Sequence, residues 1–339
     1  MKKLIYTIAH GLFFCLGLVR YALTGRNTLR AHAAMVYFFC NTGGRFNDWV
    51  NGIISRRHQS LKLSDRNGVL GDMSGQGGQR AMQDLLSKGY FVVENALPAD
   101  VCSRLMDFAL KTPAIVRAMD GESVPQSPRL AHFDGQKPLA VRYDYPVASL
   151  IANPDVQTLM ADPSLLTLSE MYLESRPRLD VLSMWWHTNF HGKPDSEAAQ
   201  FYHFDLDRFK WLKVFVYLTD VGPKDGPHSF IKGSHLTGGI PQHFLKRGYV
   251  RLSDDEVIAH YGADAEVRFA APRGTIIVED TRGLHKGNPV TGNSRLILQL
   301  QFSNALFGAV YSANRIPAQR SAAFSDRLRQ LPDVYKGYL

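Results

Sequence analysis

After Pro177 the chain reads as a series of short apolar runs, at 179–186, 199–204, 213–219, 266–270, 274–279 and 295–303, separated by turn residues such as "GPKDGP" and "PRG". Few long helical patterns intervene. Runs of this length recurring between Gly/Pro turns are strands, and a chain half built of them folds as an antiparallel sandwich or barrel. Upstream the periodicity changes. "AMQDLLSKGYFVVENAL" predicts a helix ending near Gly89 and then a strand over 90–94, and "PADVCSRLMDFALKT" predicts a helix opened by Pro98 and Asp100. Residues 120–147 read as loop, and "NPDVQTLMADPSLLTLSEMYL" reads as one or two short helices.

Charge divides the chain. The net charge of +8 resides wholly in residues 1–62, which hold nine Lys/Arg and one acid, Asp48. The remainder is balanced, so the basic character does not mark the main domain as a nucleic-acid binder. The same segment is apolar over Leu4–Val19, short of the roughly 20 residues that span a bilayer. No small-x-small cleavage site makes it a secretory signal. A spanning helix, a helix buried on the main domain and a basic helix lying on a membrane surface all stay open; the last fits the charge and length best. A second apolar run, "AAMVYFFC" (33–40), is either a continuation of it or core. "SDRNGVLGDMSGQGGQR" has linker composition. The expected division is a basic N-terminal segment (1–62), a linker (63–80), a main domain (81–310) and a C-terminal extension (311–339). Three scattered cysteines and no C-x-x-C exclude a disulfide framework and a cysteine zinc site, which points to a reducing, cytoplasmic setting. Peripheral attachment to the inner face of a membrane is expected through residues 1–62.

Just before one predicted strand stands "HFD", with His203 and Asp205 at i, i+2. On extended backbone both side chains point to one face. A histidine and a carboxylate there, with one distant histidine from a neighbouring strand, form a facial triad that leaves positions on a ferrous ion open for a co-substrate and dioxygen. Of the downstream histidines, His285 has the best context: a strand at 274–279 runs into its turn, and Arg295 opens the next strand ten residues on. A guanidinium so placed can pair bidentately with a carboxylate of a small diacid.

"HFD" (203–205), "GPHSFIKGSH" (226–235), "GLH" (283–285) and Arg295, in that order, make the sequence resemble the phytanoyl-CoA hydroxylase-like Fe(II)/2-oxoglutarate-dependent dioxygenases over roughly 81–305. The resemblance implies a mainly β fold with flanking helices, a double-stranded β-helix (jelly roll) with the metal at its open end. It implies iron ligation by His203, Asp205 and His285, and capture of the distal carboxylate of 2-oxoglutarate by Arg295. Relatives often carry Ser or Thr two residues after the distal histidine; here Gly287 stands there. Arg295 then needs another helper, and Asn189, Gln200 and Tyr202 are the candidates. The carboxylate at 205 argues against a halogenase.

The activity so implied is hydroxylation of an unactivated C–H bond of a small-molecule, lipid or lipid-linked substrate, using Fe(II), 2-oxoglutarate and O2 and releasing succinate and CO2. No nucleic-acid partner is expected. Residues 120–147, 187–199 and 236–262 are expected lids over the pocket. Other readings are a non-catalytic jelly-roll binding protein at a membrane surface and a cupin-like metalloenzyme without 2-oxoglutarate; Arg295 argues against the second. His235 reads as a turn residue, Trp185 and Trp186 as core or pocket wall, and Lys210 and Lys213 as a charged strand edge. Arg142 and Tyr143 face either the pocket or a surface salt bridge.

Overall fold

The structure is a computed structural model that describes residues 2–119, 121–123, 127–248 and 250–339. Its strands, in chain order, are β1 (Asn67–Gly68), β2 (Gly71–Asp72), β3 (Tyr90–Val93), β4 (Ala114–Val116), β5 (Leu130–Ala131), β6 (Arg142–Asp144) and β7 (Arg178–His187), followed by β8 (Trp211–Tyr217), β9 (His228–Ile231), β10 (Glu266–Phe269), β11 (Ile276–Glu279), β12 (His285–Gly287) and β13 (Arg295–Ser303). A large sheet in the order β3-β11-β8-β13-β7-β6-β4-β5 faces a small one, β10-β9-β12, and every pairing is antiparallel. This is the expected double-stranded β-helix with flanking helices. Seven strands escaped the sequence reading, β1, β2, β4, β5, β6, β9 and β12, each only two to four residues long. The run at 199–204 is not a strand; isolated bridges tie Tyr202 to Leu252 and His203 to His285 of β12.

Register sorts the side chains. On β13, Leu296, Leu298, Leu300 and Phe302 face a helical layer, whereas Ile297 turns inward with Trp185, Phe215, Tyr217, Phe230 and Ile277. The helical layer is made of α4 (Gln76–Lys88), α5 (Ala99–Lys111), α6 (Val147–Ala152), α7 (Pro154–Met160) and α8 (Pro163–Leu173), preceded in the chain by α1 (Lys2–Thr24), α2 (Leu29–Thr42) and α3 (Arg45–Ser55). Both faces of β8 and β13 are therefore covered, which explains why these strands read as nearly continuous apolar runs. The expected lid at 236–262 carries two short helices, α9 (Gln242–Leu245) and α10 (Asp254–Tyr261), the second closed by a capping box between Ser253 and Glu256.

The N-terminal helices pack into the same body. Phe14 of α1 meets Phe46, Phe209 and Phe307 edge to face at 5.1–6.1 Å. Gly17 lets α1 approach α2 closely, since a Cβ there would fall 2.2 Å from that of Ala31. From α2, Phe39 stacks on Phe204 and the His32 ring bonds the Leu206 carbonyl at 2.9 Å. Each fully buried aromatic of this kind contributes roughly 1.5–3 kcal/mol. The segment expected to be a linker is also packed. Its β1–β2 hairpin buries Leu70 and Met73, and Asp162 and Ser164 accept bonds from the Val69 and Leu70 amides. Gly and Ser there serve a tight hairpin, which composition alone does not separate from a flexible tether. The 311–339 extension adds α11 (Ala322–Gln330) and docks Tyr335 and Tyr338 through bonds to the Met160 and Asp180 carbonyls.

Candidate metal centre

The backbone from Tyr202 to Asp205 is extended because it is hydrogen-bonded on both sides. His203 and His285 exchange both backbone bonds at 3.0 and 2.9 Å, and the Asp205 amide donates to the Thr281 carbonyl at 2.8 Å. Alternation then sends His203 and Asp205 inward, while Tyr202 and Phe204 join an apolar cluster with Phe39, Leu252 and Leu284. The structure brings His203, Asp205 and His285 together, all buried, with one ligand atom from each inside a 4.8 Å span. The Asp205 carboxylate is 4.0 Å from His203 Nε2 and 3.4 Å from His285 Nε2. Both imidazoles donate Nδ1–H to a carbonyl two residues back, those of Phe201 and Gly283, at 2.9 Å. That fixes each ring and leaves both Nε2 atoms turned to the shared space, the arrangement a metal needs.

Electrostatics couple the three. Burial drives the His203 imidazole well below its usual pKa. Burial also lowers His285, but the Asp205 carboxylate outweighs it and holds that imidazole above its usual value. Asp205 lies well below the usual carboxylate range: burial opposes ionisation, and Lys213 and His285 overcome it. Lys213 is the surprise. It is no strand edge; it is buried on β8 with Nζ 2.5 Å from Asp205 Oδ2 and 3.9 Å from Asp207. Across the sheet from it, Glu279 is pushed up to about 8 by burial and meets His228 Nε2 at 3.0 Å. Burial holds His228 well below its usual value, so at neutral pH the two share one proton as a neutral pair.

Arg295 is buried where β13 begins. Its Nη1 bonds the Gly226 carbonyl and its Nη2 donates to His187 Nδ1 at 2.8 Å. Its Nε has no partner, and among the described residues no carboxylate pairs with it. Burial lowers its pKa, but an arginine stays charged. Because His187 Nδ1 accepts from Arg295, its proton sits on Nε2, which is buried and turned to the Ala198 backbone. An orphaned buried donor on a charged guanidinium, Arg295 Nε, suits a carboxylate, with the His187 ring beside it as the group that holds Nη2. Gly287 makes room for them, since a Cβ at that position would stand 3.2 Å from Arg295 Nη2 and 3.3 Å from the His187 ring. The sequence reading missed His187 because the predicted strand stopped at 186; its i, i+2 relation to inward-facing Trp185 was the available signal.

Of the three helpers expected for Arg295, two are elsewhere. Tyr202 points away and donates to Glu266 at 2.7 Å, because it is out of phase with His203. Asn189 is exposed and bonds the Gly292 carbonyl at 3.1 Å. Gln200 is buried and accepts from the Asp195 amide at 3.0 Å, holding its own loop, while its Nε2 has no partner. His235 is buried with both ring nitrogens unpartnered, outside the triad. Arg142 pairs with Asp144 at 2.8 Å and lies over the Trp185 ring, and Tyr143 packs into the core.

The donor set, two imidazoles and one carboxylate, fits a ferrous ion and would leave its remaining positions for small ligands. The buried Arg295 guanidinium fits the far carboxylate of a diacid. Compared with known protein families, residues 85–296 match the one described as Phytanoyl-CoA dioxygenase (PhyH). No curated protein matches. Among solved structures the chain is similar to HygX from Streptomyces hygroscopicus with nickel and 2-oxoglutarate bound, at 14% identity over 73% of this chain and 93% of that one, with a TM-score of 0.49. It is also similar to EctD from S. alaskensis in its apoform, at 20% identity over 78% and 92%, with a TM-score of 0.48. A third is the non-heme alpha ketoglutarate dependent epimerase SnoN from nogalamycin biosynthesis, at 15% identity over 66% and 81%, with a TM-score of 0.44.

Proposed function

Since the chain belongs to the phytanoyl-CoA dioxygenase family of 2-oxoglutarate-dependent oxygenases, we propose that it hydroxylates an unactivated C–H bond of a small-molecule, lipid or lipid-linked substrate. The observation that carries the reading is the buried His203–Asp205–His285 cluster beside a buried arginine that lacks a carboxylate partner. The triad would hold Fe(II), and Arg295, positioned by His187, would hold the distal carboxylate of 2-oxoglutarate. Bound together, iron and 2-oxoglutarate supply dioxygen activation, with succinate and CO2 as by-products.

The chain's own part is placement and exclusion of water. The Phe201 and Gly283 carbonyls hold the two imidazoles so that no rotamer search accompanies metal entry. Trp185, Phe215 and Phe230 line the barrel interior and keep it dry, which strengthens each charge–charge contact inside. Lys213 supplies a positive charge next to a site that would gather Asp205 and a dianionic co-substrate. Anaerobic calorimetry tests the reading: Fe(II) should bind in a one-to-one ratio, and 2-oxoglutarate should bind only after the metal. Binding of 2-oxoglutarate indifferent to metal and to Arg295→Leu would overturn it.

A further inference from the structure

We propose that α1 is a membrane-docking face that lies flat on an anionic lipid bilayer while it stays packed on the catalytic body. This does not rest on the oxygenase reading. The helix is apolar nearly all round, yet it buries one stripe only. Thr7, His10, Phe14, Gly17 and Tyr21, at helical three-and-four spacing, turn toward α2 and the body, where His10 stacks on Tyr37 at 4.1 Å. The rest faces outward: Leu4 is 64% exposed, Leu12 59%, Leu16 67% and Leu23 81%, with Ile5, Ile8 and Val19 between them. Single exposed leucines are ordinary on soluble proteins, but a continuous apolar helix face marks an interface.

Charge says what covers it. Residues 1–62 carry the entire surplus of +8, with Arg20, Arg26, Arg45, Arg56 and Arg57 exposed around the helices. The segment's single acid, Asp48, is spent on Arg282 at 2.9 Å. A second copy docked on this face would oppose two segments of +8. A bilayer with anionic headgroups gives the apolar face its acyl boundary and the arginines their counter-charge.

Packing says how the helix lies. At about 1.5 Å per residue α1 is long enough to cross roughly 30 Å of hydrocarbon. Its middle, however, is pinned: Phe14 sits among Phe46, Phe209 and Phe307, Gly17 on Ala31, and the Tyr21 hydroxyl accepts from the Leu306 amide. A spanning helix would have to give up those contacts. Docked flat, α1 lies against α2, which itself touches Phe204 between two of the triad residues.

The test uses the full chain. Cys15 is exposed on α1 while Cys40 and Cys102 are buried, so a thiol-reactive fluorophore labels the face selectively. With vesicles of phosphatidylcholine and phosphatidylglycerol the label should blue-shift, and lipids brominated near the headgroup should quench it more than lipids brominated at the chain ends. Unlabelled protein should sediment with these vesicles, more weakly with phosphatidylcholine alone, and be partly released by salt. Leu12→Glu with Leu16→Glu, both at exposed positions, should lower partitioning about a hundredfold with an unchanged circular dichroism spectrum. Arg20→Gln with Arg26→Gln should lower it about fivefold per charge at low salt. Absence of sedimentation would overturn the proposal, as would deepest quenching at the chain ends (a spanning helix), indifference to the Leu12→Glu/Leu16→Glu pair, or a concentration-dependent dimer that covers the label without lipid.

Discussion

Replacing Lys213 by Met separates the two tasks that its position imposes. In the metal-free chain its ammonium is the nearest positive charge to Asp205, 2.5 Å from Oδ2, and both groups are buried. Removing one partner of such a pair typically destabilises by about 3–5 kcal/mol, because the other charge stays buried. Here the His285 imidazole, 3.4 Å from the same oxygen and already biased toward its charged form, absorbs part of the loss. The expected figure is therefore near the lower end, about 3 kcal/mol, and the midpoint of thermal unfolding should fall by roughly 6 °C at about 2 °C per kcal/mol for a chain of this size. Metal binding moves the other way. A divalent ion at Asp205 must share that oxygen with an ammonium, and methionine removes the competitor. Affinity for Co(II) or Ni(II), measured by anaerobic calorimetry, should rise at least about tenfold, equivalent to about 1.4 kcal/mol. Saturating metal should then return much of the lost thermal stability. A metal-free midpoint unchanged within about 1 °C, together with unchanged metal affinity, would refute the argument.

The same charge logic separates the ligands. His203→Ala should abolish metal binding with a modest effect on unfolding, whereas Asp205→Ala, which leaves buried Lys213 only the more distant Asp207, should also cost about 3 kcal/mol in a denaturant titration. Arg295→Leu should raise the 2-oxoglutarate requirement by more than tenfold, since charge-assisted pairs contribute roughly 1.5–3 kcal/mol, with metal binding retained. Burial opposes ionisation of Asp280, but Arg282 at 2.9 Å outweighs it and holds the carboxyl below its usual 3.8. That stability is present above the unfolded-state value and is lost as pH falls through the folded one, so the advantage of wild type over Asp280→Asn should shrink below about pH 4 in acid titrations followed by fluorescence. A chain starting at residue 75 should expose Phe204, Phe209 and Phe307 and aggregate or unfold at lower temperature than the full chain.

What the sequence disclosed follows from range. The H-x-D pair was legible because both ligands sit within one extended stretch, and His285 and Arg295 because strand and turn signals bracket them. Lys213 was misjudged because burial on both faces of β8 is a property of the assembled layers, and a lone lysine in "WLKVFVY" looks like an edge residue until both faces are covered. His187 was missed because the predicted strand ended at Trp186, one residue short, so the period of two from Trp185 was not carried to it. Tyr202 was chosen for its closeness in sequence to His203, and the period of two that placed the triad sends it the opposite way. The N-terminal helices looked separable because their charge differs from that of the rest, yet charge composition does not report where Phe14 and Phe39 pack.

The central claim is oxidative use of 2-oxoglutarate at this metal centre, and succinate formation measures it without any knowledge of the substrate. Purified protein with Fe(II), 2-oxoglutarate and air should form succinate and CO2 slowly and in equal amounts. Formation should stop under nitrogen, stop in the His203→Ala and His285→Ala variants, and need far more 2-oxoglutarate in Arg295→Leu. Succinate no greater than in a metal-free control, from protein shown to bind Fe(II) in a one-to-one ratio, would contradict it.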